Sequence, residues 1–268
     1  MSGVFEYLGD KMPPDIFILI LSFVLGMVIG SFLNVCIYRI PAKISVVWPA
    51  SHCFNCNNKI KWYDNIPVLS FLVLGGKCRK CKSKISFQYP LVEFITGCLT
   101  VLFVWKTGIN WWLPFVLITL FSTIVLSVID IKTMEIPNRF SLGLILVGLA
   151  GSFFNPAFDG TLWERFLSSL IGGAVGFFGL WITAIIGSAI FKKEAMGGGD
   201  IKLMGAIGAL TGWIGVVNSL VIASFAGIIY FGILLMLKKN IENNAIPFGP
   251  FLSAGLLFCM LMPNFTIY

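Results

Sequence analysis

Long segments without a charged residue constrain the fold of this chain more than any other feature of its sequence. Residues 16–38 and 203–237 each lack a charge, and the second segment is too long for one ordinary helix. Over the whole chain, 57% of the residues are hydrophobic and only 12% are charged. A water-soluble domain of this length has too little interior for so much apolar surface, whereas each crossing of a bilayer takes roughly 20 apolar residues. The sequence therefore predicts an all-α integral membrane protein.

About eight membrane crossings are predicted from the apolar segments. The first five cover residues 16–38, 87–105, 111–129, 140–158 and 166–191. The long segment 203–237 is expected to form two short helices that turn near residues 211–215, and residues 246–262 supply the last crossing. The first segment ends at Arg39 with no small-residue cleavage site after it, so we predict a retained helix and not a signal peptide.

Lysine and arginine predict the orientation, because loops rich in these residues stay in the cytoplasm. With the amino terminus outside, 16 of the 19 basic residues fall in inner loops, and only Lys11, Lys106 and Arg165 fall outside. The net charge of +7 is therefore mostly a topology signal. Nucleic-acid binding is not predicted, because no aromatic platform or recognisable binding module accompanies the charge. The expected partner of most of the surface is the lipid bilayer, and no oligomeric state is predicted.

Pairs of glycines inside the apolar segments predict close helix packing. Gly172 and Gly176 are four residues apart, and so are Gly208 and Gly212. This spacing lets the backbones of membrane helices approach one another. We therefore interpret these glycines as packing residues and not as a ligand site.

Two CxxC pairs lie in the one polar segment, residues 41–88, between the first and second helices. Cys53 and Cys56 form the first pair and Cys78 and Cys81 the second. Such pairs are typical of a zinc ribbon or knuckle, in which each pair gives two thiolates to a tetrahedral metal ion. Disulfides or free thiols are the alternatives, and a reducing cytoplasm disfavours disulfides. We predict a structural zinc ion, which would supply folding energy that so short a polar segment lacks.

Two aspartates lie beside apolar segments, where acidic residues are rare and informative. Asp130 follows an apolar run, and Asp200 closes a Met-Gly-Gly-Gly-Asp sequence whose glycines, among them Gly197 and Gly199, let the backbone approach a bound peptide. On the predicted topology both aspartates lie at the cytoplasmic membrane edge. Two carboxylates that meet cannot both ionise cheaply, so one keeps a proton while the other deprotonates water, as in aspartic proteases. Their spacing in the sequence leaves open whether they meet.

Six motifs, taken in order, resemble those of the type IV prepilin peptidases, a family of bacterial membrane aspartyl proteases. They are Gly-Ser-Phe-Leu-Asn-Val-Cys-Ile-Tyr-Arg-Ile-Pro at 30–41, the two CxxC pairs, Gln-Tyr-Pro-Leu-Val-Glu at 88–93, the segment 130–138 that ends in Ile136, Pro137 and Asn138, Gly-x-Gly-Asp at 197–200 with Lys202, and Ile-Pro-Phe-Gly-Pro at 246–250. Each motif alone is weak evidence, but their number and order identify the family.

The resemblance implies an enzyme that removes a short leader from prepilin or pseudopilin substrates, cutting after glycine at the cytoplasmic face of the bacterial inner membrane. It implies that Asp130 and Asp200 are catalytic. It further implies methylation of the new amino terminus with S-adenosylmethionine, as members with a cysteine-bearing loop typically perform. The residues that match the family's motifs around the site are Gly197, Gly199, Lys202, Pro137, Asn138 and Glu93.

Several charged positions have more than one interpretation. Glu93 either binds the substrate amine or the methyl donor, or is a membrane-edge residue paired with a nearby lysine. Lys202 is either a charge partner for Asp200 or a contact for a lipid headgroup. The family often carries acids where this chain has Lys132 and Asn138, which leaves open whether substrate contacts or methyl transfer differ.

Three parts of the chain are predicted: an N-terminal segment with the first helix at 1–40, a zinc-binding loop at 41–88, and a membrane peptidase domain at 89–268. The residues by themselves leave two other functions open. A transporter would relay ions through helix-edge carboxylates, but this function does not explain the cysteine loop. A noncatalytic assembly factor would dock a partner through the zinc loop and tolerate replacement of the aspartates.

Overall fold

The chain is helical in the part that the structure, a computed structural model, describes: residues 14–193, 196–237 and 247–262. The helices are α1 (Ile16–Arg39), a short 3-10 helix (Trp62–Asn65), α2 (Leu69–Val73), α3 (Gln88–Thr107), α4 (Leu113–Thr133), α5 (Asn138–Gly151), α6 (Leu162–Phe191), α7 (Gly198–Met236) and α8 (Gly249–Leu261). Within these ranges, extended pairing is limited to two isolated antiparallel bridges in the cysteine-bearing loop. The predicted all-α class is confirmed for the described residues.

Five of the described helices, α1, α3, α4, α6 and α7, are long and apolar enough to cross a membrane. Helices α5 and α8 have 14 and 13 residues. At 1.5 Å per residue these two reach only about 20 Å, less than the roughly 30 Å of a hydrocarbon core. The protein is thus a multi-pass membrane protein, and the exact number of eight crossings stays a prediction. Four residues used in predicting spans and orientation, Lys11, Lys238, Lys239 and Ile246, lie outside the described ranges.

Helix α7 contains the interruption that was predicted inside the long charge-free segment. Gly212 has φ 72° and ψ −179°, a conformation that glycine adopts without the steric cost of a Cβ. It separates helical residues 198–211 from 213–236 and lies within the turn predicted at 211–215. Without the break, 39 residues of helix would extend about 58 Å, nearly twice the thickness of the hydrocarbon core.

The chain divides into two compact units. Among the described residues, the first comprises 14–36 and 45–117, and the second comprises 37–44, 118–193, 196–237 and 247–262. In the second unit, α7 is the central helix and packs against α5, α6 and α8. The three functional parts predicted from the sequence, with boundaries at residues 40 and 88, are not the same as these two structural units. That division stays a prediction.

Glycines hold α6 and α7 together in the second unit. A Cβ added to Gly172 would collide with the carbonyl oxygen of Gly208, and one added to Gly176 would collide with that of Met204. These helices therefore approach closely enough for backbone to touch backbone. The packing role predicted for glycines four residues apart is confirmed.

Close approach at glycines also organises the first unit. A Cβ on Gly26 of α1 would lie 2.9 Å from the Cα of Gly97 in α3. A Cβ on Gly30 would lie 2.8 Å from the Cα of Glu93. Helices α1 and α3 are therefore in contact at the level of Glu93, which fixes the position of that carboxylate.

Candidate active site and metal site

Asp130 is a buried carboxylate near the end of α4. Its side chain is 4% exposed, and its Oδ2 accepts a hydrogen bond from the N–H of Gly249 at 3.0 Å. Gly249 is the first residue of α8. The carboxylate therefore lies at the amino-terminal end of a helix, where unpaired N–H groups and the helix dipole stabilise negative charge.

Asp200 lies in the first turn of α7, directly after the glycine run. Its backbone N–H donates to the carbonyl of Gly197 at 3.1 Å. Its buried Oδ1 has no hydrogen-bond partner among the described residues, so the hydrogen-bonding capacity of this oxygen is unused. The carboxylates of Asp130 and Asp200 are close enough to repel each other electrostatically. The structure thus brings together the two aspartates whose meeting the sequence spacing left open.

Ile136 lies between the end of α7 that carries Asp200 and the end of α8 that donates a hydrogen bond to Asp130. A Cβ on Gly199, which precedes Asp200, would lie 2.7 Å from the Cβ of Ile136. A Cβ on Gly249, which holds Asp130, would lie 3.0 Å from the Cδ1 of Ile136. Three separate motifs therefore meet at one side chain, and both glycines leave room for it. No role for Ile136 follows from the sequence alone.

Lys202 and Asn138 join the beginnings of α7 and α5. The Nζ of Lys202 donates to the Oδ1 of Asn138 at 2.8 Å. Within the described ranges no ion pair joins Lys202 to Asp200, so the contact of Lys202 differs from the charge partnership that was one of its two interpretations. Pro137 is the N-cap residue of α5 and has an extended backbone. An acid at position 138, as in the common family pattern, would turn this hydrogen bond into an ion pair.

Glu93 anchors the cysteine-bearing loop in the first unit. The side chain is 7% exposed, and its Oε2 accepts a hydrogen bond from the N–H of Val68 at 2.8 Å. The hydroxyl of Ser31 is a second partner. Val68 is the N-cap residue of α2 and has φ 61°. The observed contacts of Glu93 are therefore structural, and they differ from the lysine pairing considered from the sequence.

The four predicted zinc ligands come together in the first unit. The Sγ atoms of Cys53, Cys56, Cys78 and Cys81 all lie within 4.8 Å of one another, and those of Cys53 and Cys81 are 3.8 Å apart. A tetrahedral zinc ion with Zn–S bonds of about 2.3 Å places its sulfur ligands about 3.8 Å apart. The cysteine cluster therefore fits a zinc ion.

The two CxxC pairs share one backbone structure. The residue after each second cysteine, Asn57 or Lys82, has a left-handed φ of 52° or 59°. Its N–H donates to the carbonyl of the first cysteine in the pair, Cys53 or Cys78, at 2.8 and 3.0 Å respectively. Equivalent positions are 25 residues apart in the chain (78 − 53 and 82 − 57). Each local turn aims its two thiols at the same point.

The electrostatics of the thiols also favour a cation. The hydroxyl and N–H of Ser83 lower the pKa of Cys81 to about 6, and N–H groups within its own CxxC turn lower the pKa of Cys53. Although the N–H of Asn58 lowers it, desolvation and the neighbouring thiols raise the pKa of Cys56 to about 11. Four thiols this close cannot all lose their protons without strong repulsion between the thiolates. A bound zinc ion stabilises the thiolates by its positive charge.

Comparison with known proteins matches both units to peptidase families. Residues 24–107 match the bacterial peptidase A24 N-terminal domain, and residues 115–232 match the type IV leader peptidase family. Similar proteins include the prepilin leader peptidase/N-methyltransferase of Pectobacterium carotovorum, which is 34% identical over 91% of this chain and 93% of its own length. The protein of that name from Pseudomonas aeruginosa is 32% identical over 87% and 86%, respectively. The type 4 prepilin-like proteins leader peptide-processing enzyme of Escherichia coli is 36% identical over 95% and 96%. No solved structure matches the chain.

Proposed function

This chain belongs to the type IV leader peptidase family, and on that premise we propose that it cleaves the leader peptide from prepilin or pseudopilin substrates and N-methylates the new amino terminus. Similar proteins carry both activities in their names. The observation that carries the peptidase assignment is that Gly249, which donates to Asp130, and Gly199, which precedes Asp200, both lie against Ile136. Two interacting carboxylates are the chemical requirement of an aspartic protease.

Asp130 and Asp200 are the catalytic pair in this proposal. The ionised carboxylate takes a proton from water, the water oxygen bonds to the carbonyl carbon of the scissile peptide, and the protonated partner donates a hydrogen bond to the carbonyl oxygen. The leaving nitrogen then receives a proton from the pair. The hydrogen bond from the N–H of Gly249 fixes one oxygen of Asp130, while Oδ1 of Asp200 has no hydrogen-bond partner among the described residues.

The position of the pair suits a substrate that is itself anchored in the membrane. Asp130 lies in the last turn of one candidate spanning helix, and Asp200 lies in the first turn of another. A scissile bond just outside the hydrophobic helix of a prepilin would reach this edge without leaving the bilayer. We place the site at the cytoplasmic face of the inner membrane, because the loops predicted on that side carry most of the basic residues.

The cysteine-bearing loop has a structural role in this proposal. A zinc ion held by Cys53, Cys56, Cys78 and Cys81 would supply folding energy to residues 41–88. S-adenosylmethionine would supply the methyl group when bound, and the described residues identify no binding site for it. The zinc-binding loop and the peptidase domain at 89–268 accordingly have separate tasks.

Incubation of the purified enzyme with a prepilin and S-adenosylmethionine tests both activities. We expect a product that starts at the residue after the glycine and carries one added methyl group, as determined by mass and by amino-terminal sequencing. A prepilin with that glycine replaced by valine serves as the matched control and should stay intact. Intact wild-type prepilin after incubation with folded enzyme would contradict the peptidase assignment, and cleavage without methylation would contradict the second activity alone.

A further inference from the structure

We propose that residues 62–74, which contain the 3-10 helix and α2, lie in the headgroup region of the membrane and bind an anionic lipid surface. This interfacial segment would hold the cysteine-bearing loop against the bilayer. The proposal depends on three features of the first unit: an exposed apolar face, a fixed depth and an unbalanced positive charge.

The apolar face belongs to α2 and the 3-10 helix that precedes it. Leu69, Leu72 and Val73 are 60%, 66% and 79% exposed. Their i, i+3 and i+4 spacing puts them on one side of α2. Trp62 is 80% exposed, and tryptophan is enriched at membrane interfaces because its ring is amphipathic. Apolar side chains this exposed on a short helix indicate an environment other than water.

The depth of the interfacial segment follows from Glu93. Its Oε2 holds the N–H of Val68, at the beginning of α2, at 2.8 Å. Glu93 is five residues beyond Gln88, the first residue of the candidate spanning helix α3 (93 − 88). At 1.5 Å per residue, the start of α2 is thus level with a point about 7.5 Å along α3. The apolar face of α2 is therefore held beside the end of a membrane helix and not out in the solvent.

Basic residues outnumber acidic residues around the interfacial segment. The exposed residues Lys61 and Lys77 flank it on either side. Asp64 is the only acid in residues 41–88, and it forms an ion pair with Arg79 at 2.6 Å. Exposed lysines beside a membrane are attracted to anionic lipid headgroups. The positive-inside rule explains the charge alone, but it does not explain the exposed apolar side chains beside it.

Photo-crosslinking in the full-length protein tests the proposal. The photoreactive residue p-benzoylphenylalanine replaces Leu72, or replaces Asn55 on the first CxxC turn as an exposed control. Each protein is reconstituted in nanodiscs of phosphatidylethanolamine and phosphatidylglycerol and irradiated, and its intact mass is measured. We expect at least about fivefold more lipid adduct at position 72 than at position 55, because interfacial helices bury their apolar face among the acyl chains.

Two results would overturn the contact between the interfacial segment and lipid. One is lipid adduct at position 72 no greater than at position 55, and the other is an adduct of position 72 with a second copy of the chain or another protein. Replacing phosphatidylglycerol with phosphatidylcholine tests the charge. We expect the adduct at position 72 to fall at least about twofold, since anionic headgroups attract the flanking lysines. An unchanged yield would refute an anionic surface as the partner.

Discussion

Replacing Gly199 with alanine tests the contact that fixes the positions of the two aspartates. The new Cβ would lie 2.7 Å from the Cβ of Ile136, whereas ordinary contacts of this kind begin at 3.4 Å. Ile136 or the first turn of α7 must therefore move by about 0.7 Å (3.4 − 2.7). Because Asp200 is the next residue, its carboxylate would move with the turn.

The expected loss is mainly a loss of rate. Overpacking a well-packed contact costs about 1–3 kcal/mol of stability, and a misplacement of about 1 Å at a catalytic group lowers the rate about 100-fold. We therefore expect Gly199→Ala to cleave prepilin about 10- to 100-fold more slowly than the wild type. Gly198 is the matched control, because a Cβ there meets no atom within 4 Å.

The assay compares initial rates of leader removal by the wild type, Gly199→Ala and Gly198→Ala in the same lipid, together with thermal unfolding of each. Gly198→Ala should cleave within about twofold of the wild type, since an alanine without close contacts changes stability little. Equal, near-normal rates for both variants would refute the role of Ile136. Equal, severe losses would instead indicate that the glycine run is needed for its backbone freedom.

Three further predictions concern topology, metal and packing. A membrane-impermeant thiol reagent should label a cysteine at Lys106 but not one at Lys59 in intact cells, and the reverse pattern would contradict the orientation derived from basic residues. Purified protein should contain about one zinc ion per chain. The Cys53→Ser variant should lose the zinc ion, and its cysteine-bearing loop should become more sensitive to protease. A loop that keeps its protease resistance without metal would refute the structural role of zinc. Gly208→Ala should lower the unfolding temperature, because its Cβ would collide with a backbone oxygen of α6, whereas Gly179→Ala, with no atom nearby, should not.

The cysteine cluster was predictable because the geometry of each CxxC pair is local. Each CxxC turn sets the direction of two thiols within five residues, so the sequence spacing already implied the cluster. The break in α7 was predictable for another local reason: 35 residues without a charge exceed one crossing, and Gly212 is the residue that adopts the necessary conformation.

Helix boundaries were predicted less well where capping decides them. Helix α6 begins at Leu162, four residues before the predicted residue 166. Its start is set by a capping box, in which Thr161 accepts from the N–H of Glu164 and the carboxylate of Glu164 accepts from the N–H of Thr161. The Thr-x-x-Glu signal was present in the sequence, but hydropathy alone does not detect it.

The active-site contacts depend on residues far apart in the chain. Ile136 contacts Gly199 and Gly249. Asp130 accepts a hydrogen bond from Gly249, which is 119 residues away in the chain. Hydropathy and motif spacing carry no information on such contacts. The expectation that the two aspartates approach each other therefore rested only on the resemblance to the family. The contacts of Lys202 and Glu93 likewise depend on tertiary packing, which explains why their sequence-based interpretations remained open.

The most direct test of the central claim is the cleavage rate of Asp130→Asn, Asp200→Asn and the double variant, each shown to be folded and inserted in the membrane. Asparagine keeps the size of the side chain but cannot hold or release the catalytic proton. Each single change should lower cleavage by several orders of magnitude, and the double change should lower it little further, because the pair acts as a unit. Methylation of an already cleaved substrate should persist. Near-normal cleavage by either single variant would contradict the assignment of the two aspartates as the catalytic pair.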